Sequence, residues 1–312
     1  MDIKKILIAL AIALSCAIHL NGQSRHSLLV WGSGGYSSLM TLAPDITSIP
    51  GIGAGVGAGY EFHYKMFLLN AGVQFNYLMP NLELNQFTND IELYDSEGDY
   101  YVGHYTFSQN RDRYGLGNVD IPLMIGLQIK NVFVLAGAQY SLNVLGSTKV
   151  NTVVTTTASY PQFIDEFGNM PNHFLSTVNE NNSYGVSLLN HYSLKAEVGT
   201  YLGTQPRMKK DLKKTRFRLS IFCDYGLSGI VGSNSSGNLI VNKQTDGTYE
   251  PVLNSFIFSD PVNGYEVLPL YAGIKLTIVI GLEGSGKHPC YCRDLDSAKD
   301  RKRRTRKITR QY

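Results

Sequence analysis

After residue 20 the chain has no run of about 18 apolar residues, the length a membrane-crossing helix needs. Charge is scarce as well. Asp, Glu, Lys and Arg make up 17% of 312 residues, which excludes a disordered or coiled-coil composition. Tryptophan occurs once and cysteine four times. No nucleophile elbow is present, and the closest approach to a phosphate loop fails. Gly281 to His288 nearly spells GxxxxGK[ST], but His288 stands where the Mg²⁺-binding hydroxyl belongs, and Pro289 blocks the helix that would present amides. What the chain does have is 31 Gly, 20 Tyr and many segments too apolar for surface loops. Two classes stay open, a soluble all-β protein and a membrane β-barrel.

The amino terminus carries an export pattern. Lys4-Lys5 precede the apolar run Ile6–Leu14, a secretory signal too short to span a bilayer as a stable helix. Cleavage is expected after Gly22, with a lipoprotein cut before Cys16 as the alternative. Export by either route disfavours cytoplasmic cofactor enzymes, and no cofactor or metal is expected.

Alternation is the main structural signal. In 51–65 every even residue is apolar or aromatic and every odd one is Gly or polar. Ile121, Leu123, Ile125, Leu127 and Ile129 repeat the pattern, as do Leu270, Ala272, Ile274, Leu276, Ile278 and Ile280. Such runs predict eight strands, at 26–39, 51–65, 66–79, 117–130, 132–145, 191–204, 216–230 and 267–282. Residues 150–158 also have strand character and predict an extension above the membrane. Connections alternate short and long, as in a barrel with short periplasmic turns and long external loops. The expected architecture is therefore an all-β, eight-stranded antiparallel up-and-down transmembrane barrel, with ten strands as the variant.

Face chemistry gives the orientation of each strand. The inward parity collects Glu61, His63, Asp120, Lys130, Lys195, Glu197, Arg216, Arg218, Asp224 and Lys275, a lumen charge network that must pair internally. The outward parity is nearly uncharged, with Phe62, Tyr64, Phe67, Tyr77, Tyr192 and Phe217 toward strand ends as interfacial girdles. Cys223 falls on the lipid-facing parity. Gly126, on the inward side, is expected to accept Ser more readily than Ile125 accepts Arg. Eight strands leave just enough width for side chains to fill the lumen, which argues against an open pore.

Residues 118–145, from Asn118-Val119-Asp120-Ile121-Pro122-Leu123-Met124 through Tyr140-Ser141-Leu142, resemble the PorT-like/OmpA-type outer-membrane β-barrel domain of Gram-negative bacteria. Tyr271, Gly273, Leu276 and Ile278 are similar to the β-signal that the barrel assembly machinery reads. The resemblance spans about 26–282 and implies an outer-membrane location among relatives that include parts of secretion machinery, type IX among them.

The domain plan is a signal peptide at 1–22, a barrel at 23–282 and a basic tail at 283–312. The tail holds ten Lys/Arg against four Asp/Glu in a chain of net charge +3. Lys299, Arg301, Lys302, Arg303, Arg304, Arg306, Lys307 and Arg310 crowd its end, and such a run does not bury a core. An even strand count places both termini in the periplasm. The tail is then a docking segment for peptidoglycan or an acidic periplasmic protein, because export removes nucleic acid as a partner. Lipid and the assembly machinery are the other partners. Cys290 and Cys292 suggest a disulfide. Function is expected to be non-enzymatic, a structural or accessory part of an envelope or secretion assembly. The alternatives are a small porin and a rim hydrolase or acyltransferase. His104, His173 and His191 lie in or beside the long loops, and Ser183, Ser187 and His191 form one group to test.

Overall fold

The computed structural model describes residues 24–95, 97–164, 172–202, 215–231, 237–242, 250–259, 262 and 264–282. The expected signal segment, the tail with its cations from Lys299 to Arg310, and Cys290 and Cys292 lie outside the described residues.

The strands are β1 (Ser24–Thr41), β2 (Ile46–Tyr64), β3 (Phe67–Leu84), β4 (Phe87–Tyr94), β5 (Tyr100–Ile129), β6 (Val132–Ser159), β7 (Asn172–Gly185), β8 (His191–Leu202), β9 (Arg216–Gly226), β10 (Ile240–Asn242), β11 (Pro251–Leu253) and β12 (Val267–Gly281). Eight of them close an antiparallel ring in the order β1-β2-β3-β5-β6-β8-β9-β12, with β12 returning to β1. All eight predicted runs are in this ring. The tightest turns contain Lys65 and Lys130, which take left-handed φ values of 54° and 55°.

Alternation sets the faces as a strand requires. On β9, Arg218, Ser220, Phe222 and Asp224 are buried, whereas Phe217, Leu219, Ile221, Cys223 and Tyr225 are exposed. A water-soluble sheet has the reverse arrangement. Burying polar groups inward and leaving branched apolar ones outward is favourable only against lipid. Phe62 departs from the girdle: it is buried, with the His26 ring packed at 5.4 Å between centroids.

β5 and β6 run 30 and 28 residues, far beyond the predicted 117–130 and 132–145. The extra length rises past the apolar band at the end where the long loops lie. There β4 adds to β5 and β7 adds to β6, giving a four-stranded sheet β4-β5-β6-β7. The β6 extension agrees with the strand character expected for 150–158, whereas the β5 extension was hidden because alternation breaks at Gln109. Its φ is 52°, and the β5–β6 register shifts between Ser108 and Arg111. The ring has eight strands, and the two additional ones belong to the raised sheet.

Candidate functional site

The barrel interior is layered. Near the short-turn end, Leu29, Trp31, Leu68, Met124, Phe133, Leu135, Tyr201 and Val279 form one apolar cluster. Trp31 fits because its wall is glycine: a Cβ at Gly57 would come within 2.5 Å of the indole, and one at Gly72 within 2.7 Å.

Across this layer and above it stand the charges. Glu61, His63, Asp120, Lys195, Glu197, Arg218, Asp224 and Lys275 are all buried. Arg218 reaches Glu61 with both guanidinium nitrogens, one of them at 2.6 Å, and also bonds the Tyr201 hydroxyl. Lys275 donates to Glu197 at 2.7 Å and lies 4.6 Å over the Trp31 ring. Lys195 donates to Asp224 at 2.9 Å and to Gln139 at 3.1 Å. Asp120 has no such cation; it accepts from Asn76, which in turn accepts from Gln74 at 2.5 Å. His63 bonds the carbonyl of Lys65 at 2.6 Å, beside the short turn.

Two members of the predicted network sit elsewhere. Lys130 is exposed, because the left-handed turn that reverses the chain carries its side chain out of the strand parity. Arg216 is only partly buried and stacks 4.8 Å over Tyr201 at the barrel edge. Gly126 is tightly placed: a Cβ there would lie 1.9 Å from the Val134 carbonyl oxygen, so a serine requires the backbone to shift. The predicted assembly-signal residues all lie on β12. Tyr271 turns inward, 3.3 Å from the Ser33 hydroxyl, while Leu276 points outward. Gly273 abuts Gly34 and Gly35 of β1, and Ile278 shares the parity of Leu276.

The other end of the barrel is covered by described residues of the segment between β9 and β12. Leu253, Phe256, Ile257 and Val262 from this segment join Leu39, Leu78, Leu82, Phe107, Leu116, Phe222 and Tyr271 in a second apolar cluster. One buried carboxylate fastens this cap. Asp112 of β5 accepts from the hydroxyls of Tyr114 and Thr148, from Ser255 Oγ at 2.7 Å and from the Phe256 amide at 3.0 Å. Burial pushes the Asp112 carboxyl above the usual carboxylate range, and its four donors oppose that shift. Burial also raises Tyr114 strongly. Sequence reasoning missed the cap. Its signal was Phe256-Ile257-Phe258, an apolar triplet in a connection expected to be polar.

The candidate hydrolase group does not assemble. His191 is buried at the lumen mouth, near Asn143 at 3.5 Å, whereas Ser183 and Ser187 are exposed. His173 packs against Tyr160. His104 instead bonds Asp90 through Nδ1 at 2.7 Å and Ser159 through Nε2 at 2.9 Å, on the raised sheet.

The family described as outer membrane protein beta-barrel domain matches residues 22–232. The chain belongs to this family. The match stops before β12, the strand that closes the ring, so the barrel continues beyond the matched region. Outer-membrane location follows from the family. No curated protein matches the chain significantly. Among solved structures, the toluene transporter TodX of Pseudomonas putida is similar at 7% identity, covering 85% of this chain and 93% of that one. Its TM-score of 0.18 is too low to align strands or to transfer a role.

Proposed function

We propose that the protein is a non-conducting, non-enzymatic outer-membrane barrel that serves as a structural or accessory component of an envelope or secretion assembly, type IX-like in kind. The observation that carries this reading is closure of the lumen at two levels, by paired charges at membrane depth and by the apolar cap above. Such filling by the described residues argues against a continuous water path, which sets the porin alternative behind. The raised sheet then faces the cell exterior, and both termini lie in the periplasm. Phe174, Leu175 and Val178 of β7 are exposed there and offer apolar contact to a partner. The basic tail docks on peptidoglycan or an acidic periplasmic protein. Affinity isolation of the intact protein from outer membrane tests this. Deleting 293–312 should remove periplasmic companions at low salt, where charge attraction is least screened. Unchanged co-purification would leave the tail a solvated segment.

A second reading rests on Asp90-His104-Ser159. A carboxylate on Nδ1 and a hydroxyl on Nε2 is the order used in acyl transfer. Yet Ser159 is 6% exposed, covered within the sheet between Val102 and Asn172, so an ester has little access to it. Fluorophosphonate labelling of Ser159 that disappears in His104→Ala would promote this reading. No labelling would retire it.

A further inference from the structure

Seven buried side-chain atoms among the described residues lack a hydrogen-bond partner, and four of them meet in one chamber. They are Asn118 Oδ1, Asp120 Oδ1, Ser193 Oγ and Asp224 Oδ1. Each of these residues is at least nine-tenths buried. The chamber lies under the cap, bordered by Leu78, Pro269 and Tyr271 on the apolar side and by Gln139, Ser141 and His191 on the polar side. Its free volume is about 20 Å³, enough for one water-sized occupant.

Three nearby donors are spent elsewhere, and the Ser141 hydroxyl interacts with Asp120. Lys195 Nζ is turned to Asp224 Oδ2 and Gln139 Oε1. The Asn76 amide is turned to Asp120 Oδ2, and the Gln139 amide to Ser141 at 3.3 Å. The four orphaned atoms are all oxygens. Charge points the same way. Around the chamber, Asp120 and Asp224 face one ammonium, Lys195, while Lys275 and Glu197 below neutralise each other. One negative charge is left over in a site shielded from water, where an uncompensated charge is expensive.

We propose that this chamber binds a single hard monovalent cation of the sodium class, held by Asp120 and Asn118 with Ser193 and Asp224. A water molecule satisfies the oxygens but leaves the charge. A divalent ion overshoots the charge, and an organic ammonium exceeds the volume. Oxygen-only donors suit an alkali ion better than zinc or copper, which favour nitrogen and sulfur. The ion fixes β5, β8 and β9 to one another at mid-lumen. The inference is independent of the assembly the barrel serves.

The test refolds the full chain from urea into detergent micelles, in sodium chloride or in choline chloride at equal ionic strength. Trp31, the chain's single tryptophan, reports folding. The expected result is a higher unfolding midpoint in sodium. Asp120→Asn should erase that difference while keeping heat-modifiable gel migration. Thallium(I), a heavy stand-in for alkali ions, should give an anomalous peak in the chamber of wild-type crystals, a readout that holds even if the variant fails to fold. Equal midpoints in the two salts, a sodium effect that survives in Asp120→Asn, or a chamber without thallium would overturn the proposal. The chamber would then hold water beside a protonated Asp120.

Discussion

The barrel is filled in two different ways along one axis. At membrane depth the filling comes from the wall itself: Arg218, Lys195 and Lys275 extend from their strands to carboxylates on other strands. At the long-loop end it comes from an inserted segment, with Leu253, Phe256 and Ile257 packed on Leu82 and Phe107. Strand pairing explains the difference. In the ring every wall position is fixed by its two neighbours, so the interior must be closed by long side chains whose charges meet. Past the lipid, β5 and β6 stand free of the full ring, and a connection has room to enter. Each charge pair replaces hydration on both partners, so its worth lies in not being half-broken. The cap is an ordinary apolar core fastened by one carboxylate.

The largest effect should come from breaking a pair in the wall. Glu61→Ala strands Arg218, which is 1% exposed, and should cost about 3–5 kcal/mol in a urea refolding titration. Removing both charges, Glu61→Leu with Arg218→Met, should recover most of the loss. If the double variant is as unstable as the single one, the cost lies in packing and not in the orphaned charge.

In the cap, Phe256→Ala should open the cap locally by about 3 kcal/mol or more while the ring stays folded. Hydrogen exchange should then rise in 250–259 and stay unchanged in β9 and β12. Loss of protection throughout would mean that the two regions are one cooperative unit.

The outer wall comes next. Ile125→Arg and Leu276→Arg each place a cation on the lipid face, since both residues are exposed, and should cost about 2–4 kcal/mol near the bilayer midplane. Leu82→Arg, which faces the cap cluster, should instead disturb cap protection. A lipid-face variant with wild-type stability in bilayers would contradict the inside-out assignment.

The smallest effect is on pH. Burial raises the folded Asp112 carboxyl, so the capped state binds more protons than the uncapped one. Cap stability is therefore fullest below the unfolded value of about 3.9 and falls as pH rises through the folded one. Exchange protection of the Ser255 and Phe256 amides, corrected for intrinsic rate, should decline along that course. Asp112→Asn should make it flat.

The eight wall strands were legible because lipid imposes period-two alternation on every residue of a span. Residues 119–129 show it without interruption, and Arg218 and Asp224 stood out as charges on an otherwise consistent face. Beyond the lipid that constraint ends. Tyr100–Leu116 is strand, but its Ser108–Arg113 stretch is polar, and Asn110 and Asp112 are buried by contacts with distant segments. Local pattern does not carry such contacts. Asp112 meets Phe256 across 144 positions of sequence. The same holds for the chamber: parity puts Asp120 and Asp224 inside, but only the fold shows that Lys195 turns to Asp224 and leaves Asp120 without a cation in contact.

The central claim, a barrel closed along its axis, is tested most directly by single-channel recording of the full chain in a planar bilayer at neutral pH. A closed barrel predicts a flat baseline across applied voltages, with brief flickers at most. Stable, large conductance steps from the intact protein would contradict the closed lumen and return the porin reading to first place.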